Sequence, residues 1–228
     1  MDENSKNQTQ NTREGPQPEE KIPLSFSIRW SIMKLGHSVA DLVDGYKKMF
    51  NMGHTDLKDM YLKRFEEADA KGEVWKCIRW MEKVTSMDPE DPDAFYKLGI
   101  AYEKNNEPDA AIKAYKQVIK LKLDHAKAYY RTGVLYLAKK DHKAAVEVLK
   151  KALKIKPDSE EINFRLGMAH DRLEEHEKAI SFFSRAVEIN PNFLKVYKNM
   201  ALTYEMIGKH KEAVGCLKRA LELEEMSS

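Results

Sequence analysis

The amino-acid sequence predicts an all-α fold: a right-handed superhelical solenoid of antiparallel helix pairs, five repeats preceded by a degenerate N-terminal helical segment. Three observations predict it. Glycine and proline are scarce, at 10 and 8 of 228 residues, and Ala, Glu, Lys and Leu are plentiful, a composition that favours helices. Small residues recur in register every 34 positions from residue 58 to the end, with no insertion, which is the mark of a repeat architecture. Prolines fall at the close of three repeat units, at Pro89, Pro157 and Pro191, where a helix must stop because the ring cannot continue the hydrogen-bond ladder.

Residues 1–22 are polar and carry Pro16 and Pro18, the composition of a disordered tail. Residues 23–57 form a helical segment read as a degenerate repeat or as a helix that covers the front of the array. Its apolar residues Phe26, Trp30 and Leu35 precede a stretch in which Val39, Leu42, Val43, Tyr46 and Phe50 share one helical face behind the cap candidate Ser38,. These eight side chains are the candidate oligomerisation surface. The most apolar run, residues 22–33, is too short to span a bilayer and contains Arg29,. With Asp2 in second place and no terminal cysteine, no lipid-attachment signal is expected either,.

The repeats divide as 58–91, 92–125, 126–159, 160–193 and 194–228. Their eighth position reads Phe65, Gly99, Gly133, Gly167 and Ala201, and their twentieth Cys77, Ala111, Ala145, Ala179 and Ala213. The twenty-seventh reads Val84, Val118, Ala152, Ala186 and Ala220. These are tetratricopeptide-repeat (TPR) columns, in which small residues let the two helices of a repeat approach closely. Larger residues such as Tyr102 with Tyr115, and Tyr136 with Leu149, fill the space between repeats. Asp91 before Pro92, and Asp158-Ser159-Glu160-Glu161, mark helix starts. The repeat at 58–91 is divergent, with Phe65 at the small position and Trp75 and Trp80 on its second helix, and its junction with 92–125 is a candidate hinge. The array stops at 223–225 without a further covering helix, so part of the last repeat's stacking face is expected to be exposed.

Charge and chemistry exclude several function classes. Lys plus Arg number 39 against 37 Asp plus Glu, with none of the basic excess that nucleic acid demands. The two cysteines, Cys77 and Cys216, lie in apolar-periodic stretches and read as small core residues of a reducing cytosol,. No phosphate loop, nucleophile elbow or zinc spacing occurs, so no enzyme, metal or cofactor is expected. His142, His176 and His210 recur 34 residues apart, but stacked repeats hold equivalent positions about 10 Å apart, too far for shared metal ligation. They are an echo of the repeat.

The first helix of each TPR lines the concave groove. Its sixth position reads Lys63, Lys97, Arg131, Arg165 and Asn199, flanked by Tyr96, Tyr130 and Phe164 at the fifth and Ile100, Val134 and Met168 at the ninth. Glu103, Asp171 and Glu205 at the twelfth partly offset the cations. This groove suits an extended or helical protein segment with acidic and apolar residues. It is not the carboxylate clamp of heat-shock cochaperones. Lys127 and Arg131 fit the third component of that pattern, but Leu62, Glu66 and Lys97 stand where the other components require different residues.

Three stretches carry a narrower resemblance: residues 162–173 (INFRLGMAHDRL) with 177–183 (EKAISFF), residues 200–213 (MALTYEMIGKHKEA), and the lead-in 33–42 (MKLGHSVADL). From about residue 24 onward the chain resembles the magnetosome-associated TPR family of magnetotactic bacteria, although the tail 1–22 is longer than in that family. The resemblance implies a cytoplasmic protein held peripherally on the magnetosome membrane. There it would self-assemble into a homo-oligomer through its N-terminal region and recruit other magnetosome proteins. The alternative is a monomeric TPR adapter that binds peptides in another bacterial assembly or secretion system.

Overall fold

The computed structural model describes residues 53–226, and the eight candidate oligomerisation side chains between Phe26 and Phe50 lie outside that range. The described residues form ten helices in five antiparallel pairs: α1 (His54–Ala70) with α2 (Val74–Met87), α3 (Pro92–Lys104) with α4 (Pro108–Leu121), α5 (Ala126–Ala138) with α6 (His142–Ile155), α7 (Glu160–Asp171) with α8 (His176–Ile189), and α9 (Leu194–Met206) with α10 (His210–Glu225). Each pair packs on the next in sequence order, which is the all-α TPR solenoid that the 34-residue period predicts. The first helix begins at His54, a turn ahead of the predicted repeat boundary at 58.

Helix ends follow local chemistry. Asp91 accepts hydrogen bonds from the amides of Asp93 and Ala94 at 2.9 and 3.1 Å and precedes Pro92 at the first helical position. The Ser159 hydroxyl accepts from the Ile162 amide, so both predicted caps are present. Within every pair the turn residue is left-handed: Gly72, Asn106, Lys140, Glu174 and Gly208, with φ between 59° and 73°. The next amide then reaches back to a carbonyl five residues earlier, from Glu73 to Ala68, Glu107 to Tyr102, Asp141 to Tyr136, Glu175 to His170 and Lys209 to Tyr204, at 2.9–3.0 Å. This closure satisfies carbonyls that the helix end would leave open. Only two of the five positions are glycine, which hides the column from a reading by residue type.

The core sits between repeats. The second helix of one pair and the first of the next bury a shared cluster: Met81 and Val84 with Ala94 and Leu98, Tyr115 and Val118 with Ala128, Leu149 and Ala152 with Ile162 and Leu166, Phe183 and Ala186 with Val196 and Met200. Small residues at the eighth position have a sharper purpose than helix approach alone. A Cβ built on Gly99 would lie 2.4 Å from the Tyr115 ring, on Gly133 2.5 Å from Leu149 and on Gly167 2.4 Å from Phe183. Each glycine is the floor on which a large side chain of the facing helix rests. Tyr102 packs against the cluster that holds Tyr115, as expected, and its hydroxyl donates to Glu82 at 2.7 Å.

The divergent first repeat is joined to the second by more than packing. Lys104 on α3 reaches Asp69 on α1 at 2.5 Å, and Lys58 on α1 reaches Asp91, the cap of α3, at 3.0 Å as well as Asp88 within its own repeat at 2.6 Å. Trp80 stacks on Tyr61 and carries the Arg64 and Arg79 guanidinium groups within 5.1 and 5.4 Å of its ring. Cys77 is buried and Cys216 half-buried, both as free thiols, and burial pushes both thiols up from their ordinary pKa.

Candidate functional site: the groove formed by the first helices

The first helices α3, α5 and α7 carry the predicted groove residues at one register, and the structure separates those residues into three roles. Lys63 on α1 is exposed. Lys97 on α3 lies over the Phe65 ring at 5.8 Å and beside Ile100, in a small pocket between the first two repeats.

Arg131 on α5 is a structural cation. Its Nε donates to the Tyr96 hydroxyl at 3.2 Å, and its Nη1 donates to both Glu103 oxygens at 3.2 and 3.1 Å. The Tyr115 hydroxyl donates to the same carboxylate at 2.5 Å. Burial raises the Tyr115 hydroxyl above the ordinary tyrosine range, and the Glu103 charge raises it further. Burial opposes the Arg131 charge, but the Tyr96 hydroxyl, Tyr115 and Glu103 outweigh it and raise the guanidinium above its ordinary value. The acid therefore does more than offset the cation ladder: it binds one rung of it directly and fixes α3 against α5.

Phe164 departs from the expected place. It is 4% exposed and packs on Phe183 and Phe193, with ring centroids 6.0 and 5.2 Å away. Its ring belongs to the core cluster formed with α8 and α9 and not to the groove surface. Tyr96 and Tyr130 are half-buried. Tyr96 packs on Tyr115 and His125, and the Tyr130 hydroxyl donates to Glu161 at 3.0 Å. Burial pushes the Tyr130 hydroxyl up, against the pull of the Arg165 guanidinium beside it.

Arg165 on α7 remains with Val134 and Met168 on a surface between α5 and α7. Its Nη1 lies 3.7 Å from the Met168 sulfur. The histidine column is equally uneven: His176 hydrogen-bonds Asp171 at 3.1 Å and His210 hydrogen-bonds Glu205 at 2.7 Å. His142 has no such partner among the described residues, and its Nδ1 is buried and unsatisfied. Also among the described residues, no helix is long and apolar enough to cross a membrane, and no group of three or more His, Cys, Asp or Glu residues is placed to hold a metal ion.

Tetratricopeptide-repeat family models match residues 81–122 and 96–160, 136–193, and 182–215. No curated protein sequence matches significantly. Among solved structures the chain is similar to MamA at 31% identity, over 72% of this chain and 95% of that one, with a TM-score of 0.70. A second MamA crystal structure matches at 30% identity over 75% and 93% of the two chains, with a TM-score of 0.72. A MamA fragment from Desulfovibrio magneticus RS-1 matches at 26% identity over 75% and 97%, also with a TM-score of 0.72. With paired helices forming a groove lined by basic, aromatic and aliphatic side chains, the fold is that of a protein-interaction scaffold, and the chain belongs to the MamA family of tetratricopeptide-repeat proteins.

Proposed function

We propose that this chain is a non-enzymatic scaffold that homo-oligomerises on the cytoplasmic face of the magnetosome membrane and recruits other magnetosome proteins to it. The observation that carries this reading is the likeness to MamA along nearly the whole length of that protein, joined to a groove that presents Lys97, Arg165, Ile100, Val134 and Met168 to a partner. Peripheral attachment fits helices that are amphipathic and tied into repeats. Self-association is assigned to the segment before α1, where Phe26, Trp30, Leu35, Val39, Leu42, Val43, Tyr46 and Phe50 are concentrated.

Removal of residues 1–52 leaves α1 whole and tests the self-association. Light scattering of the full chain should report large assemblies and that of the truncated chain monomers. Assemblies that persist after truncation would rule out the N-terminal segment as the self-association element. A fluorescent fusion in a magnetotactic host, with and without the same truncation, should lie along the magnetosomes only in the full-length form. Charge reversal at Arg165 should weaken capture of groove partners in a pull-down.

A further inference from the structure

The acids at the twelfth position of each repeat form a column with one gap. It reads Asp69, Glu103, Leu137, Asp171 and Glu205. Each acid in it has a basic partner: Asp69 takes Lys104, Glu103 takes Arg131, Asp171 takes His176, and Glu205 takes His210. At the third repeat the acid is replaced by leucine, but the bases it would serve are still present. Arg165 stands one repeat after Arg131 at the same position, and His142 stands at the position of His176 and His210.

Each keeps one buried nitrogen without a partner at the same place, while the rest of the Arg165 guanidinium lies beside the Tyr130 hydroxyl. A pocket of about 600 Å³ between α5 and α7 is lined by Arg165, His142, Lys140 and Arg172, with Leu137 and Met168 among its apolar walls. Arg165 Nε and His142 Nδ1 are buried with no hydrogen-bond partner. No carboxylate lines this pocket, and neither Lys140 nor Arg172 forms an ion pair with a described residue. Acids of the neighbouring turns are committed elsewhere. Asp141 accepts from the Ala144 amide, Glu161 from the Tyr130 hydroxyl, and Asp171 from the Thr203 hydroxyl while also holding His176. A buried donor without an acceptor costs about 1–3 kcal/mol, more when it belongs to a charged group. The pocket thus gathers four basic side chains, two of them with an unsatisfied buried nitrogen, and no carboxylate among its lining residues, whereas Glu160 and Glu161 flank Arg165 on its other side.

We propose that this pocket is the anchoring subsite of the groove. It receives the carboxylate of a Glu or Asp side chain from an extended segment of a partner protein, and an adjacent apolar residue of that segment covers Val134, Leu137 and Met168. Charge complementarity selects the occupant. The Arg165 fork suits a planar carboxylate, His142 and Arg172 add donors, and the apolar wall gives grip to a peptide that free anions lack. The inference rests on the groove being a partner-binding surface, and it names where on the groove the charge is read.

Leu137→Glu tests it by restoring the missing acid within the chain, against Leu137→Gln, which has the same shape without the charge. The probes are two fluorescein-labelled, end-capped nonapeptides in a Ser/Gly background: one with a single Glu flanked by leucines, the other with Gln in its place. Fluorescence anisotropy on the full chain should show the Glu peptide binding at least about tenfold tighter than the Gln peptide, roughly the effect of one well-formed charge-assisted hydrogen bond. That preference should vanish in Leu137→Glu and survive in Leu137→Gln. In thermal melts Leu137→Glu should unfold at a higher temperature than Leu137→Gln, because the new carboxylate satisfies Arg165 and His142.

Equal binding of both peptides to the unmodified chain, or a Glu preference that survives Leu137→Glu, overturns the subsite while leaving the groove as a binding surface. Absence of any peptide binding removes both readings for this class of segment. Displacement of the labelled Glu peptide by inorganic phosphate at the same concentration as an unlabelled, acetyl-capped Glu peptide would mark a plain anion site and overturn the peptide assignment. Binding seen only after removal of residues 1–52 would assign the pocket to the chain's own leading segment instead of a partner.

Discussion

At Gly167 an added carbon would meet the Phe183 ring at 2.4 Å, whereas at Gly215 on α10 it would meet nothing within 4 Å. The same Gly→Ala change therefore has opposite signs at the two residues. Gly167→Ala should lose about 1–2 kcal/mol net, because overpacking outweighs the gain in helix propensity. Gly215→Ala should gain about 0.5–1 kcal/mol. Urea midpoints followed by circular dichroism check both, and a stabilising Gly167→Ala would show that the ring has room to move. Asp91 gives a pH-dependent case. Burial alone would raise its carboxyl, but hydrogen bonds from Lys58 and the Ala94 amide outweigh that and hold it below the ordinary carboxylate range. A depressed folded pKa contributes stability that is present above the unfolded value of about 3.9 and is lost as pH falls through the folded one. Asp91→Asn should therefore melt below the unmodified chain at neutral pH, with the gap closing as pH falls below about 4. A gap that stays constant with pH would remove the Lys58 pair as its cause.

At the scale of the element, Arg131 and Arg165 occupy the same position of successive helices but do different things. Arg131 joins α3 to α5 through Glu103 and Tyr96, and its side chain is 38% exposed, so solvent weakens the pair without removing it. Arg131→Gln leaves Glu103 without its cation and should cost about 1–2 kcal/mol. Arg165 forms no ion pair with a described residue, and Arg165→Gln should stay within about 0.5 kcal/mol of the unmodified chain. Urea titration of the two variants separates the structural cation from the one left for a partner. Equal losses would show that the two arginines are structurally equivalent. It follows that charge reversal at Arg131 reports on repeat docking as much as on partner capture.

Across the whole array, stability is a sum of interfaces between neighbours. Met81, Tyr115, Leu149 and Phe183 occupy one position on the second helices and are fully buried, whereas Leu217 at the same position of α10 is 47% exposed. Leu221, Val214, Leu202 and Met206 are also exposed on the last pair. Among the described elements α10 is packed on α9 alone. Its amides should exchange with solvent at least about tenfold faster than those of α6 and α8, a difference near 1.4 kcal/mol in opening free energy. Mass-detected hydrogen exchange on the full chain measures this. Protection equal to that of α8 would mean that something in the assembled protein covers the face.

The 34-residue register, the Asp91 and Ser159 caps and the pairing of repeats were legible in the sequence because they depend on residue type at short range. Small residues must sit where helices meet, and a side-chain oxygen must precede a helix start. The left-handed turn column was less legible, since Asn106, Lys140 and Glu174 adopt a conformation that glycine alone would advertise. The division of labour in the groove was not legible at all. Lys97, Arg131 and Arg165 form one column of cations, but only three-dimensional packing decides that Glu103 neutralises the second and that Leu137 leaves the third open. It likewise turns Phe164 into the core and leaves His142 without an acid. The repeat fixes where each side chain starts. What it meets depends on the neighbouring helix, because ion pairing and burial are decided over a few ångströms between residues about thirty apart in the chain,.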